Sequence, residues 1–181
     1  SLHSQQSEKS TKNGNKNVKK NILIVGDSII RDIEGWRMKK RMKSFVSVKS
    51  ISGASSKAMV HHVRGCLTDL TPDRVILHCG TNSLKEEKNL EIIADDIINL
   101  AVSIKSEVEE VYVSELTIRN DNLNEKRKKV NEMLRTKCKE KDLLNIQHDN
   151  ITLNMLNSKG LHLNEYGSTR LANNFCFNVS N

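Results

Sequence analysis

Aromatic residues make up only 3% of this 181-residue chain (one Trp, two Tyr and three Phe), and there is a single proline. That scarcity argues against a face that stacks bases, since single-strand binders interleave basic side chains with aromatic ones. No apolar run approaches the roughly 20 residues needed to cross a bilayer. The polar, lysine-dotted N-terminus contains no apolar core of a secretory signal. Neither GxGxxG nor GxxxxGK[ST] follows an apolar run, which argues against dinucleotide or nucleotide-phosphate chemistry. Four cysteines, Cys66, Cys79, Cys138 and Cys176, form no CxxC pair and are too dispersed for a disulfide-stapled scaffold. Cys79 falls in an apolar run and Cys138 and Cys176 in helical patterns, so buried thiols in a reducing, intracellular (cytoplasmic) compartment are expected. His61-His62 lacks an i, i+4 ligand partner and reads as helix surface or packing, not metal. There is no internal repeat.

What is present is the composition of an ordinary globular domain, 36% hydrophobic and 28% charged, with a net charge of +7. A basic chain invites a nucleic-acid reading. Much of the excess sits at Lys9, Lys12, Lys16, Lys19 and Lys20, opposed only by Glu8, in a tail without aromatics. A second group is Arg37, Lys39, Lys40, Arg41 and Lys43. The plainer reading is a solvated tail and a solvated helix face, with nucleic acid at most a weak partner of the tail. Residues 1–20 hold too little apolar content to offset the entropy of ordering and are expected to be a disordered tail or linker. The folded domain is expected over 21–181.

The organising stretch is Asn21 to Ile30, NILIVGDSII. Its apolar run ends in Gly26-Asp27-Ser28 and passes directly into an amphipathic segment, the pattern of a buried parallel strand turning into a helix. The turn places Ser28 at the carboxyl end of a strand and at a helix N-terminus, where open α/β sheets bind ligands. Ser28 is therefore either a nucleophile or an N-cap. A helix is expected from Ser28 to Lys43 with Ile29, Ile33, Trp36 and Lys40 on one face. Strands follow at Phe45–Ile51, Arg74–Cys79, Val111–Val113 and Leu143–Ile146, with helices at Ala58–Leu70, Leu90–Ile104, Asn122–Glu140 and Asn164–Asn178 between and after them. Strands alternating with helices predict a three-layer α/β/α domain around a five-stranded parallel sheet, and right-handed crossovers favour the flavodoxin-like order 2-1-3-4-5.

In that topology three strand ends rich in small or polar residues, Gly26-Asp27-Ser28, Ser52-Gly53 and Gly80-Thr81-Asn82, meet at one crevice. The loop before the last helix returns His162 towards it. A serine, a glycine N–H, an asparagine amide and a histidine converging there would make an acyl-transfer site. His78 is expected to pack, and His148-Asp149 lies at the same sheet edge.

These blocks, in this order, resemble the SGNH or GDSL hydrolases: GDS at Gly26 to Ser28, Gly53 after strand two, GTN at Gly80 to Asn82, and His162. More loosely the chain is similar to the esterase-like domains of retrotransposon-derived animal proteins, which implies a longer polyprotein as its source. The resemblance implies a serine esterase without metal or organic cofactor, acting on a small acyl ester. Ser28 would be the nucleophile and His162 its base, with the Ser28 N–H, the Gly53 N–H and the Asn82 amide as oxyanion hole. The family's aspartate three residues before its histidine is Lys159 here, and Ser83 stands where an aspartate often follows GTN. Loss of that carboxylate lowers turnover by about 10⁴-fold in the Ser-His-Asp template. Glu165, Asp149 or a backbone carbonyl would have to orient the imidazole instead. The alternative is a catalytically weak or inactive module that keeps the fold to bind nucleic acid or an acidic partner.

Overall fold

Period-two burial along the strands builds the molecule. In the computed structural model, which describes residues 18–179, Leu23 and Val25 of β1 (Asn21–Gly26) face one core and Ile22 and Ile24 face the other. The sheet is completed by β2 (Phe45–Ser50), β3 (Arg74–His78), β4 (Glu110–Ser114) and β5 (Leu144–Ile146). All pairings are parallel and the order is β2-β1-β3-β4-β5, as the sequence predicts. On one face α2 (Ser56–Leu70), α4 (Leu90–Lys105) and α5 (Asn124–Glu140) cover the sheet, burying Met59, Val63, Ile97 and Leu134 against Val75, Leu77 and Val113. On the other, α1 (Gly35–Met42) and α6 (Glu165–Val179) bury Met38, Met42, Leu171 and Phe175 against Ile76 and Tyr112. A one-turn helix, α3 (Ser83–Glu86), follows β3. Cys79 and Cys138 are buried free thiols, Cys66 is a half-buried one, and Cys176 is buried. Among the described residues no helix is long and apolar enough to cross a membrane. The tail expected over residues 1–20 lies almost wholly outside the described residues.

One expected element is broken. The segment from Ser28 to Lys43 is a 3₁₀ turn at Ser28–Ile30, a link through Asp32 and Glu34, and then α1. Asp27 caps the turn by accepting the Ile29 N–H at 3.1 Å, and the chain leaves it after Ile30 to bring Gly35 against β2. A Cβ on Gly35 would stand 2.4 Å from the Val46 carbonyl oxygen, so only glycine permits this approach. The break shifts the helical register. Met38 and Met42 take the inward positions, Ile33 is buried in the link, and Trp36, expected inside, is 71% exposed.

The strand ends are tied as closely. The Asp27 N–H donates to the His78 carbonyl at 3.0 Å, and the Ile51 N–H donates to the Gly26 carbonyl at 2.8 Å. A Cβ on Gly26 would lie 1.9 Å from the His78 carbonyl oxygen. Gly26→Ala is therefore expected to destabilise the fold by about 3 kcal/mol, the upper end for inserting a carbon into packed structure, read as a lowered urea midpoint.

Candidate active site

At the carboxyl ends of β1, β2 and β3, backbone and side-chain hydrogen bonds lace three turns together. Asp27, wholly buried, accepts the Ile29 N–H at 3.1 Å and the Thr81 N–H at 3.4 Å, joining the first turn to the third. The Asn82 amide donates to the Ala54 carbonyl at 3.1 Å, joining the third to the second. Ser83 accepts the Ser56 N–H at 2.8 Å, so its hydroxyl fastens α2 to the GTN turn. Gly53 has φ +74° and open space where a Cβ would stand, leaving its backbone accessible.

His162 arrives on a tight excursion between β5 and α6. Leu156 and Leu163 form an antiparallel bridge, and the Asn157 N–H donates to the His162 carbonyl at 2.8 Å. Gly160, at φ +73°, lets the chain turn beside Asn120, whose N–H donates to the Gly160 carbonyl at 2.8 Å. The loop delivers the imidazole to the Ser28 turn: Ser28 Oγ and His162 Nε2 are 2.9 Å apart. Ser28 is 8% exposed and His162 half-buried, so the pair is partly open to solvent. A cavity of about 460 Å³ between α1 and α6 begins beside it, lined by Ile33, Arg37, Arg41, Leu163 and Asn173 among others but by neither member of the pair.

The fold is that of known hydrolases. The structure superposes on a lipolytic G-D-S-L family protein from Veillonella parvula with a TM-score of 0.72, at 19% identity over 86% of this chain and 95% of that one. A GDSL-like lipase from Bacteroides thetaiotaomicron gives 0.73 at 17% identity, covering 88% of this chain and 87% of that one. Axe2, an acetylxylan esterase from Geobacillus stearothermophilus, gives 0.74 at 14% identity over 88% and 94%. The chain has the SGNH hydrolase fold. No protein-family model and no curated protein sequence matches it.

Against this SGNH framework the orienting acids expected from the sequence need correction. Asp149 is exposed and turned to Arg135, at 3.4 Å, because the strong Arg135–Glu115 pair (2.7 Å) draws the guanidinium there. Glu165 is exposed in the first turn of α6 and makes no hydrogen bond to His162. Among the described residues nothing hydrogen-bonds to His162 Nδ1. Burial lowers the His162 pKa, and the charges of Arg31 and Lys159 lower it further. Asp32, a residue not singled out in the sequence, is the carboxylate whose field raises it. Lys159 itself is exposed, its long stem leaving the ammonium in water.

Three further groups escaped sequence reading. Arg119, buried, donates to the Thr81 carbonyl at 3.1 Å and pairs with Asp121 at 2.6 Å, buttressing the GTN turn from beyond β4. Burial pushes the Asp27 carboxyl up to about 6, opposed by the N–H groups of Ile29, Thr81 and Gly80 and by Arg119. Beneath the site Ser114 lies between two buried imidazoles, 2.7 Å from His78 Nδ1 and 2.7 Å from His148 Nε2, while the Asn174 amide stands 3.0 Å from His148 Nδ1. His78 therefore packs, as expected, and His148 joins this polar seam and not the loop surface. The seam is closed to solvent and holds β3, β4 and α6 together. Both imidazoles are kept neutral by burial, His78 at a pKa of about 4 and His148 well below 6.5, where the nearby His78 adds to the effect.

A depressed imidazole pKa means that the unfolded chain binds the proton more readily. Stability is therefore expected to fall as pH drops from 6.5 towards 4, with His78 alone contributing on the order of 3 kcal/mol. Asp27, whose pKa is raised, works in the opposite sense over part of this window, but one carboxyl opposes two imidazoles. Urea midpoints across the range should show the net loss, and His148→Gln should flatten it.

Proposed function

We propose that the chain is a serine hydrolase of the esterase class, cleaving small acyl esters through an acyl-enzyme at Ser28. The observation that carries this reading is the 2.9 Å contact between Ser28 Oγ and His162 Nε2, at the strand end where the fold presents its reactive group. His162 Nε2 takes the hydroxyl proton as Oγ attacks the acyl carbon. The tetrahedral oxyanion is held by the Ser28 N–H, the Gly53 N–H and the second amide hydrogen of Asn82, the first being spent on Ala54. One such donor is worth roughly 3–4 kcal/mol in the transition state. The intermediate collapses, His162 returns the proton to the departing alcohol, and water repeats the sequence to release the acid.

With no carboxylate on Nδ1, the machinery is a Ser-His dyad. The imidazolium must form without a counter-charge and beside Lys159 and Arg31. Slow turnover is the consequence. The same observation favours a second reading, in which the fold serves as a non-catalytic interaction module.

The two readings part on reactivity. A serine-directed fluorophosphonate should label the chain and p-nitrophenyl acetate should be hydrolysed, with both lost in Ser28→Ala. Well-folded protein that neither labels nor turns over supports the module. Because burial and the neighbouring cations lower the His162 pKa, the acid limb of kcat/KM should fall below pH 6.5. Lys159→Asp should raise kcat by at least about 10-fold by supplying an acceptor for Nδ1; an unchanged kcat would place the limitation elsewhere.

A further inference from the structure

The four most prominent exposed aromatic rings include two at one edge of the sheet, and that edge is basic. Between Gly35 and Thr68 the chain has no Asp or Glu, while Arg37, Lys39, Lys40, Arg41, Lys43 and Lys49 precede the end of β2. All six cations are exposed, on α1 and on β2, the open edge strand. Trp36 is 71% exposed and Phe45 48% exposed, although burying such large apolar rings is favourable. They share one corner of the molecule, because Gly35 lies directly against Val46 and each ring belongs to an adjoining residue. Cations flank both. The Arg37 guanidinium stands 5.1 Å from the Trp36 ring, and the Lys39 and Lys19 ammonium groups stand 4.6 Å and 5.7 Å from the Phe45 ring. Glu34, just before α1, pairs with Arg37, and Arg41 donates to Asn173 at 2.8 Å. Lys39, Lys40, Lys43 and Lys49 make no ion pair with a described acid.

We propose that the α1–β2 edge is a docking surface for single-stranded nucleic acid. Exposed rings on a surface rich in cations are what an unstacked base and its phosphate require: a flat apolar platform for one and a positive field for the other. A duplex hides its base faces and would use only the charge. A bilayer surface fits less well, since α1 spends its apolar side, Met38 and Met42, on the protein core and offers lipid no stripe to insert. The scarcity of aromatics, which argued against base stacking from composition alone, loses some of its force because two of the six, Trp36 and Phe45, are exposed among basic residues. Lys9, Lys12 and Lys16 precede this edge in the sequence.

Trp36 is the one tryptophan, so its emission reports on this surface directly. Titrating the full chain with a 20-nucleotide oligo(dT) should quench that emission, with single strand preferred over a duplex of the same length. If four phosphates are contacted, affinity should fall about 50-fold between 50 and 200 mM salt. Trp36→Ala should weaken binding about 10-fold by fluorescence anisotropy, and Trp36→Phe should restore most of it. Lys39→Gln with Lys40→Gln should lower the magnitude of the log–log salt slope by about 1.4. Ser28→Ala should bind unchanged, which keeps this surface separate from the hydrolase reading. Binding that leaves Trp36 emission unmoved, or that survives Trp36→Ala but is lost when Lys9, Lys12 and Lys16 become Gln, overturns the proposal in favour of the tail. A blue shift with phosphatidylserine vesicles but no response to oligo(dT) overturns it in favour of a membrane. Equal competition by oligoglutamate overturns it in favour of an acidic peptide.

Discussion

The buried carboxylate of Asp27 is the constraint on which the site depends. It sits between the Ser28 turn and the GTN turn and accepts N–H groups from both, so the two strand ends cannot part without leaving it unsatisfied. An unsatisfied charged group in the interior costs several kcal/mol, more than either turn could recover alone. Its own ionisation is opposed by burial, and the backbone donors and Arg119 hold it in place. Gly26 on one side completes the device by letting β1 approach the His78 carbonyl. The motif Gly-Asp-Ser is thus a mechanical unit as much as a chemical one. Glycine sets the spacing, aspartate fastens the turns, and serine presents its hydroxyl.

Much of this was legible along the chain because it depends on local pattern. Apolar runs closed by glycine, and helices of regular period, lead to a parallel sheet of order 2-1-3-4-5, and the strand ends then bring Ser28, Gly53 and Asn82 to one crevice. His162 was legible through its order after those blocks. What escaped depends on backbone register and on contacts between distant elements. The side on which Trp36 falls turns on where the chain leaves the helical path after Ile30, and a continuous amphipathic pattern does not record that break. Arg119, and the seam of His78, Ser114 and His148, come from separate strand ends, and each is an unremarkable polar residue where it stands in the sequence. Glu165 was plausible because it is near His162 in the chain, but the first turn of a helix points its side chain by helical geometry and not by proximity.

The electrostatic setting of His162 departs from that of an efficient triad in a specific direction. Burial, Arg31 and Lys159 all favour the neutral imidazole, and Asp32 alone opposes them. A neutral imidazole is ready to accept a proton at low pH, but it stabilises the resulting cation poorly. On the proposed hydrolase reading, base availability is therefore traded against transition-state stabilisation, and the chain lies toward the first.

Ser28 and His162 stand 134 residues apart in the sequence, yet they meet across a single hydrogen bond. Nearly the whole domain must be in place before that bond can form: the sheet closed, α6 seated, and the Asn157–Gly160 excursion pressed against Asn120. Local helices in such a chain return quickly from the denatured state, whereas contacts of long sequence separation come late. Any reactivity of Ser28 is consequently a reporter of finished folding, and a chain nicked between β5 and α6 would keep most of its secondary structure while separating Ser28 from His162.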